Sequence, residues 1–269
     1  MHDNWLIFCE ESGDKALPWK KGSTDYYIVS AVLVHEEHEQ DFINTIKHQT
    51  KRVLKISEPL EWKKLQTYKK RDDILLAKFF KNVEQSAPPF IISKVICNKH
   101  ETSGPGLVDT QTFMNYLYGL MFKRISLFLR ITKSHAKLVI DRNTDPVAQE
   151  SLRKYLSDVA KYKTGEPPRF SKPKWLNPED HAILGLSDFI AGSSLRSLSD
   201  YYHNVNIECK RCSSGLCIYE CSKSNFSYFR SYKYLVDWNY YNFENWAWKG
   251  LLYHPFENKN NYRHLFMPI

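Results

Sequence analysis

No stretch of this chain approaches the roughly 20 consecutive apolar residues of a membrane span, so no contact with the membrane interior is expected. The opening residues, MHDNW, lack the basic and apolar regions of a secretory signal peptide, which makes a cytoplasmic location the default expectation. A Gly-rich phosphate loop of the Walker type is also missing, and with it any support for an ATP-driven role. There is no internal repeat and no low-complexity run.

Apolar residues make up 42% of the 269, enough to build a full core in one large domain or two small ones. The formal net charge of +8 favours an anionic partner such as nucleic acid, although an ordinary solvated basic surface has the same balance.

Residues 5–13, WLIFCEESG, read as a short apolar strand ending in two adjacent carboxylates, Glu10 and Glu11, then Ser12 and Gly13. A polar loop with Pro18 and Gly22 leads to residues 26–34, YYIVSAVLV, the pattern of an interior strand covered on both faces. The short Gly/Pro connection predicts an antiparallel pair. Residues 37–54 carry Phe42, Ile43, Ile46 and Val53 at helical spacing with a basic end, an amphipathic helix. EWKKL at 61–65 precedes a helix over 72–83, and FIISKVIC at 90–97 is a third strand. A long apolar helix over 112–131 is expected to pack across the sheet. KLVI at 137–140 then runs straight into Asp141 and Arg142, followed by a helix over 148–162, a Pro-rich basic loop over 163–178 and an apolar helix over 180–199. That order predicts a mixed α/β layer architecture rather than an all-α or all-β one.

Three of these elements deliver an acid to an apolar boundary: Glu10 with Glu11, Asp141, and Asp188 within LGLSDFIAG. Unpaired charges there carry a large desolvation penalty unless they share a cation. Mg²⁺ and Mn²⁺ take oxygen ligands, and two such ions about 4 Å apart can activate a water and stabilise the leaving oxygen of a phosphodiester. Taken singly, each acid has a plainer reading as a strand-end residue or a helix cap. As a set they predict a carboxylate metal site.

The ordered motifs strand–EESG, EWKKL, LVIDR and LGLSDFIAG resemble the domain-of-unknown-function family thirty-eight hundred, over about residues 5–196. That family opens with an Asp-Glu-Ser-Gly strand end, has a later strand-Asp-Arg and closes with a Leu-Gln-Leu-Ala-Asp helix. The resemblance implies an RNase H-like fold and a metal-dependent nuclease site. It puts Glu10 in place of the first Asp, matches Glu11 and Ser12 directly, and makes Asp141 the second-strand acid and Asp188 the helix acid. Two departures stand out: Glu10 is one methylene longer than Asp, and Gly185 and Ser187 replace Gln and Ala.

His181 lies seven residues before Asp188, two helical turns away on nearly one face. It reads either as a proton shuttle beside the metal site or as a solvated residue at the helix start. Glu61 and Lys63 read as a fourth ligand and a phosphate contact, or else as part of a solvated charged face.

Cys209, Cys212, Cys217 and Cys221 fall in the spacing C-x2-C-x4-C-x3-C. Four thiolates in a short loop suit structural Zn²⁺, with Lys210 and Arg211 offsetting their charge; disulfides, an iron–sulfur cluster or free thiols are the alternatives. Cys9 and Cys97 sit on apolar strands and read as core residues. Residues 226–266 interleave aromatic and basic side chains, a pattern that fits core or oligomer packing and also stacking on unpaired bases.

Together these observations predict an RNase H-like domain over residues 1–200 and a zinc-loop, aromatic-rich extension over 201–269 packed on it. The function expected is that of a Mg²⁺- or Mn²⁺-dependent nuclease, a hydrolase of RNA or DNA phosphodiesters. Glu10, Asp141 and Asp188 would hold metal and Glu11 or Glu61 complete the shell. Ser12, Lys63, Arg142, Lys172 and Lys174 would hold the substrate. A rival from another class is a non-catalytic nucleic-acid- or protein-binding subunit on a decayed nuclease fold, alone or in a homo-oligomer or protein complex. A third is a phosphatase or nucleotide hydrolase using the same acids.

Overall fold

The computed structural model of the chain describes residues 4–16, 20–57, 59–67, 73–100, 102, 109–142, 145–160, 168–205 and 251–254. Six strands form one sheet: β1 (Asn4–Ser12), β2 (Tyr26–His35), β3 (Phe90–Asn98), β4 (His135–Asp141), β5 (Lys174–Leu176) and β6 (Leu251–His254), in the order β5-β4-β1-β2-β3-β6. β1, β2 and β3 form an antiparallel meander. β4 joins β1 in parallel, β5 joins β4 in parallel, and β6 joins β3 in parallel. The sheet is therefore mixed, and only β2 runs against the rest.

Among the described residues six α-helices accompany it: α1 (Glu39–Gln49), α2 (Trp62–Thr67), α3 (Asp73–Ser86), α4 (Thr110–Ile131), α5 (Pro146–Ala160) and α6 (Ala182–Val205). They cover both faces. Ile7 and Cys9 of β1 pack with the apolar stripe of α4 (Phe113, Leu117, Met121) and with Leu152 and Leu156 of α5. Leu6 and Phe8, on the other face, pack with Phe42 of α1, Phe79 of α3 and Ile183 and Ile190 of α6. The period-two alternation of β1 thus divides the core into two layers. β2 is buried along nearly its whole length, as its uninterrupted apolar run predicts. Cys9 and Cys97 are buried free thiols, as expected of core residues.

Several elements differ from the sequence expectation: α2 and β6, which joins the main sheet from within the expected C-terminal extension, are not among the elements expected, and two others differ in form. The helix expected over 37–54 is split into a 3₁₀ turn, α1 and a π turn (Thr50–Leu54), and ends where Lys55 takes a left-handed conformation at φ 59°. The basic loop expected over 163–178 contains β5. Three residues between Pro173 and Asn177 are too few to show a period, and it is Trp175, packed against the α4 side of the core, that seats them. Among the described residues no helix is long and apolar enough to cross a membrane. Cys209, Cys212, Cys217, Cys221 and most of the aromatic stretch lie outside the described residues.

Candidate functional site

β1 and β4 run side by side in parallel, with Cys9 opposite Ile140, so Glu10 and Asp141 come next to each other where the two strands end. Alternation puts Glu10 on the α6 face with Leu6 and Phe8, and Glu11 on the α4 face with Ile7 and Cys9. Across the sheet Glu10 is paired with Ser30. The Ser30 hydroxyl donates to the Ser187 carbonyl at 2.8 Å and lies 2.9 Å from the Ser187 hydroxyl. This buried contact pins α6 above β1 and β2, and the next residue along α6 is Asp188.

The approach of α2 to Asp188 depends on glycine. A Cβ at Gly185 would press into the Leu60 carbonyl oxygen, and one at Gly192 would overlap the Trp62 indole. Their seven-residue spacing puts both on one face of α6, so residues 60–62 lie along that face. Trp62 N–H then donates to Asp188 Oδ2 at 2.6 Å. Glu61 arrives with the same segment, close enough for its charge to act on both Asp141 and Asp188.

The electrostatics follow from this crowding. Glu10 is 3% exposed, its Oε2 accepts from the Glu11 N–H at 3.1 Å, and its Oε1 is buried with no hydrogen-bond partner. Burial, then the charges of Asp141, Asp188 and Glu11, push its pKa well above the usual carboxylate range. Burial also raises Asp141, with Glu11 and Glu61 adding to it and the Arg142 N–H opposing. Asp188 is pushed up to about 6 by burial, Glu61 and Asp141, against the Trp62 N–H. Carboxyls that raise one another in this way titrate as a group.

As the side chains stand, no three His, Cys, Asp or Glu groups among the described residues converge at metal-ligating distance. Three of the acids are turned to other partners. Asp188 is turned to Trp62, Glu61 to Lys64 at 2.9 Å, and Glu11 to the Tyr118 hydroxyl at 3.2 Å and to Lys15 at 2.6 Å.

The other residues singled out from sequence divide. Ser12 ends β1 opposite Ile28. Arg142 donates its backbone N–H to Leu176 O at 2.8 Å and exposes its side chain, and Lys63, Lys172 and Lys174 are exposed. His181 faces elsewhere. Its Nε2 is 3.1 Å from Glu39 Oε1, its ring stacks on Phe8 at 4.4 Å, and its Nδ1 accepts from the Ile183 N–H at 3.4 Å. Burial lowers its pKa while Glu39 opposes. These contacts give it a part in starting α6.

Sequence reasoning passed over two features. Lys94 continues the row Glu10–Ser30 onto β3, is 1% exposed, and has Ser194 Oγ at 3.1 Å as its hydrogen-bond acceptor. Burial pushes its pKa down to about 7. Its signal was in plain sight, as the lone charge in FIISKVIC. Between about pH 7 and 10.5 the unfolded chain holds a proton that the fold does not, so stability from this position rises with pH through that window and is lowest below it. Lys94→Met is therefore expected to raise the melting temperature at pH 6 by the equivalent of a few kcal/mol, with the gain shrinking towards pH 10. A thermal melt series across pH checks this.

The second feature is a cleft of about 470 Å³ on the α4 side, lined by Glu11, Gln111, Met114, Asp141, Arg142 and Trp175 among others. Only Glu11, Asp141 and Arg142 of these carry a sequence signal. The rest are brought there by tertiary packing.

Fold and site together define an α/β domain with one buried and several half-buried carboxyls gathered at one end of a mixed sheet. No protein-family model matches the chain, and no curated protein matches it either.

Proposed function

We propose that the chain is a Mg²⁺- or Mn²⁺-dependent nuclease that hydrolyses RNA or DNA. The observation that carries this reading is the cluster itself. Glu10, Asp141 and Asp188, from two strands and a helix, are all raised by burial, with Asp141 and Asp188 adding to Glu10, Asp141 to Asp188, and Glu11 and Glu61 to Asp141, and one buried oxygen of Glu10 has no partner. An arrangement of this kind is destabilising in the bare protein and becomes favourable once a cation shares it. Hard oxygen ligands suit Mg²⁺ or Mn²⁺, so the residues fit such an ion. Glu10, Asp141 and Asp188 would hold it, with Glu11 or Glu61 completing the shell. When bound, such ions supply an activated water and charge stabilisation for the leaving oxygen of a phosphodiester.

The chain's own residues do the rest. Trp62 N–H orients Asp188, Tyr118 and Lys15 orient Glu11, and the exposed Lys63, Arg142, Lys172 and Lys174 neutralise the phosphate backbone on the way in. The mixed sheet covered by helices is compatible with the RNase H-like fold implied by the resemblance to family thirty-eight hundred, and the order of EESG, EWKKL, LVIDR and LGLSDFIAG supports that assignment. Gly185, which departs from that family's motif, has a local reason here in the close approach of Leu60.

A structural Zn²⁺ on Cys209, Cys212, Cys217 and Cys221 belongs to the same proposal. Metal analysis of the purified protein is expected to give about one zinc per chain, released by a thiol-modifying reagent. Zinc-free protein with those thiols free or disulfide-bonded would remove it.

Cleavage of labelled single-stranded and duplex RNA and DNA, with and without Mg²⁺ or Mn²⁺, tests the nuclease reading. Divalent-dependent product that disappears in Asp141→Asn is expected. Binding with no turnover under any condition would favour the recognition-subunit alternative.

A further inference from the structure

We propose that the cleft beside Glu11 and Asp141 seats one unpaired nucleobase of the strand being cut, so that the substrate is single-stranded at the scissile position. This rests on the nuclease reading and goes beyond it in naming the substrate's form. Continuity comes first: Asp141 belongs both to the carboxyl cluster and to the cleft lining, and Glu11 lies beside it. A base held in the cleft therefore has its own phosphate next to Asp141 and Glu11, the two acids that the cleft shares with the proposed metal site. Size comes second. At about 470 Å³ the cleft falls within the range of small-molecule sites; it takes a nucleoside and has no room for a duplex.

Lining chemistry selects the occupant. Met114 and Trp175 offer an apolar and aromatic surface, and Gln111 and Arg142 offer polar groups, which suits a planar group with apolar faces and a hydrogen-bonding edge. The Gln111 amide nitrogen donates to Asn115 Oδ1 at 2.8 Å and Ala148 O at 3.4 Å, which fixes the amide and leaves its carbonyl oxygen as the acceptor it can present to a base. A phosphate is a poor occupant. Glu11, Asp141 and Asp145 outnumber Lys15 and Arg142 in the lining, and Lys15 is already paired with Glu11. A base inside a duplex could enter only after unstacking and flipping.

The test has two arms. In the first, 2-aminopurine riboside is titrated into the zinc-replete full chain with no Mg²⁺ or Mn²⁺ added and its fluorescence quenching followed, for wild type, Gln111→Leu and Trp175→Ala. Saturable quenching weakened roughly tenfold by either substitution is expected; no saturable quenching, or quenching unchanged in both variants, overturns the proposal. Circular dichroism identifies a variant that has lost its fold, in which case the other decides. In the second arm, an abasic residue is moved along a labelled single strand in Mn²⁺. Cleavage is expected to fall at least tenfold when it occupies the scissile position, and equal cleavage at every position overturns the base pocket while leaving the nuclease standing. Quenching without cleavage of any strand would keep the pocket and end the nuclease reading.

Discussion

Replacing Asp188 by Asn is expected to remove divalent-dependent cleavage and, at the same time, to raise the melting temperature of the metal-free protein. The two effects have one cause. Asp188 sits at about 6 instead of its ordinary 3.8, chiefly through burial and then through Glu61 and Asp141. Between those two values the fold holds a proton that the unfolded chain has released, so stability must fall as pH rises through the window. By pH 7 the full penalty is in place. At about 1.4 kcal/mol per pH unit it is on the order of 3 kcal/mol. Asn carries no charge and can still accept from the Trp62 N–H, so much of that penalty is relieved and the melt should move up by several degrees. The gain should shrink as pH falls through that window and vanish only well below pH 3.8, where Asp188 is protonated in both states. As a ligand of the proposed ion, Asp188 should on replacement lower activity by more than the roughly 10–100-fold typical of groups that only support a ligand. A variant that is destabilised at pH 7 with no Mg²⁺ or Mn²⁺ added, or that cleaves normally, would contradict this account of Asp188.

Gly185→Ala should do the opposite, destabilising the fold without touching a charge. In an ordinary helix interior this substitution is favourable by about 1 kcal/mol. Here the new methyl would press into the Leu60 carbonyl oxygen, a backbone atom that cannot rotate away. Overpacking of this kind costs about 1–3 kcal/mol and occasionally more, so the steric effect outweighs the propensity gain. The chain's cheapest response is to lift residues 60–62 off α6. That withdraws the Trp62 N–H from Asp188 and moves Glu61 away from the cluster, so divalent-ion affinity should fall along with the melting temperature. Urea denaturation and a Mn²⁺ titration of the same preparation check both halves. An alanine variant as stable as wild type would mean that the segment does not pack on α6 as described.

Much of the fold was legible because its strands are pure cases. The runs at β2 and β3 and the strand-then-acid endings of β1 and β4 need no tertiary information to be read. The layered α/β class followed from their order. What stayed hidden was set by contacts between distant segments. β5 is too short to show a period, and its place at the sheet edge comes from Trp175 meeting the α4 side of the core. Glu61 was ambiguous in sequence because its approach to Asp188 depends on two glycines more than a hundred residues away. His181 has the right spacing for the cluster but is drawn to Glu39 and Phe8, partners that helix periodicity cannot reveal. Lys94 was visible as an oddity, yet only the β1–β2–β3 register shows that it shares a row with Glu10.

The claim on which everything else rests is that these carboxyls share a divalent cation. Calorimetric titration of Mn²⁺ into the zinc-replete chain at pH 6, in two buffers of different ionisation enthalpy, tests it most directly. Saturable binding with release of protons is predicted, because the ion displaces protons that the cluster holds above their ordinary pKa, and Asp141→Asn should weaken that binding at least tenfold. Absence of saturable binding up to millimolar Mn²⁺, or binding equally tight in Asp141→Asn, would contradict it.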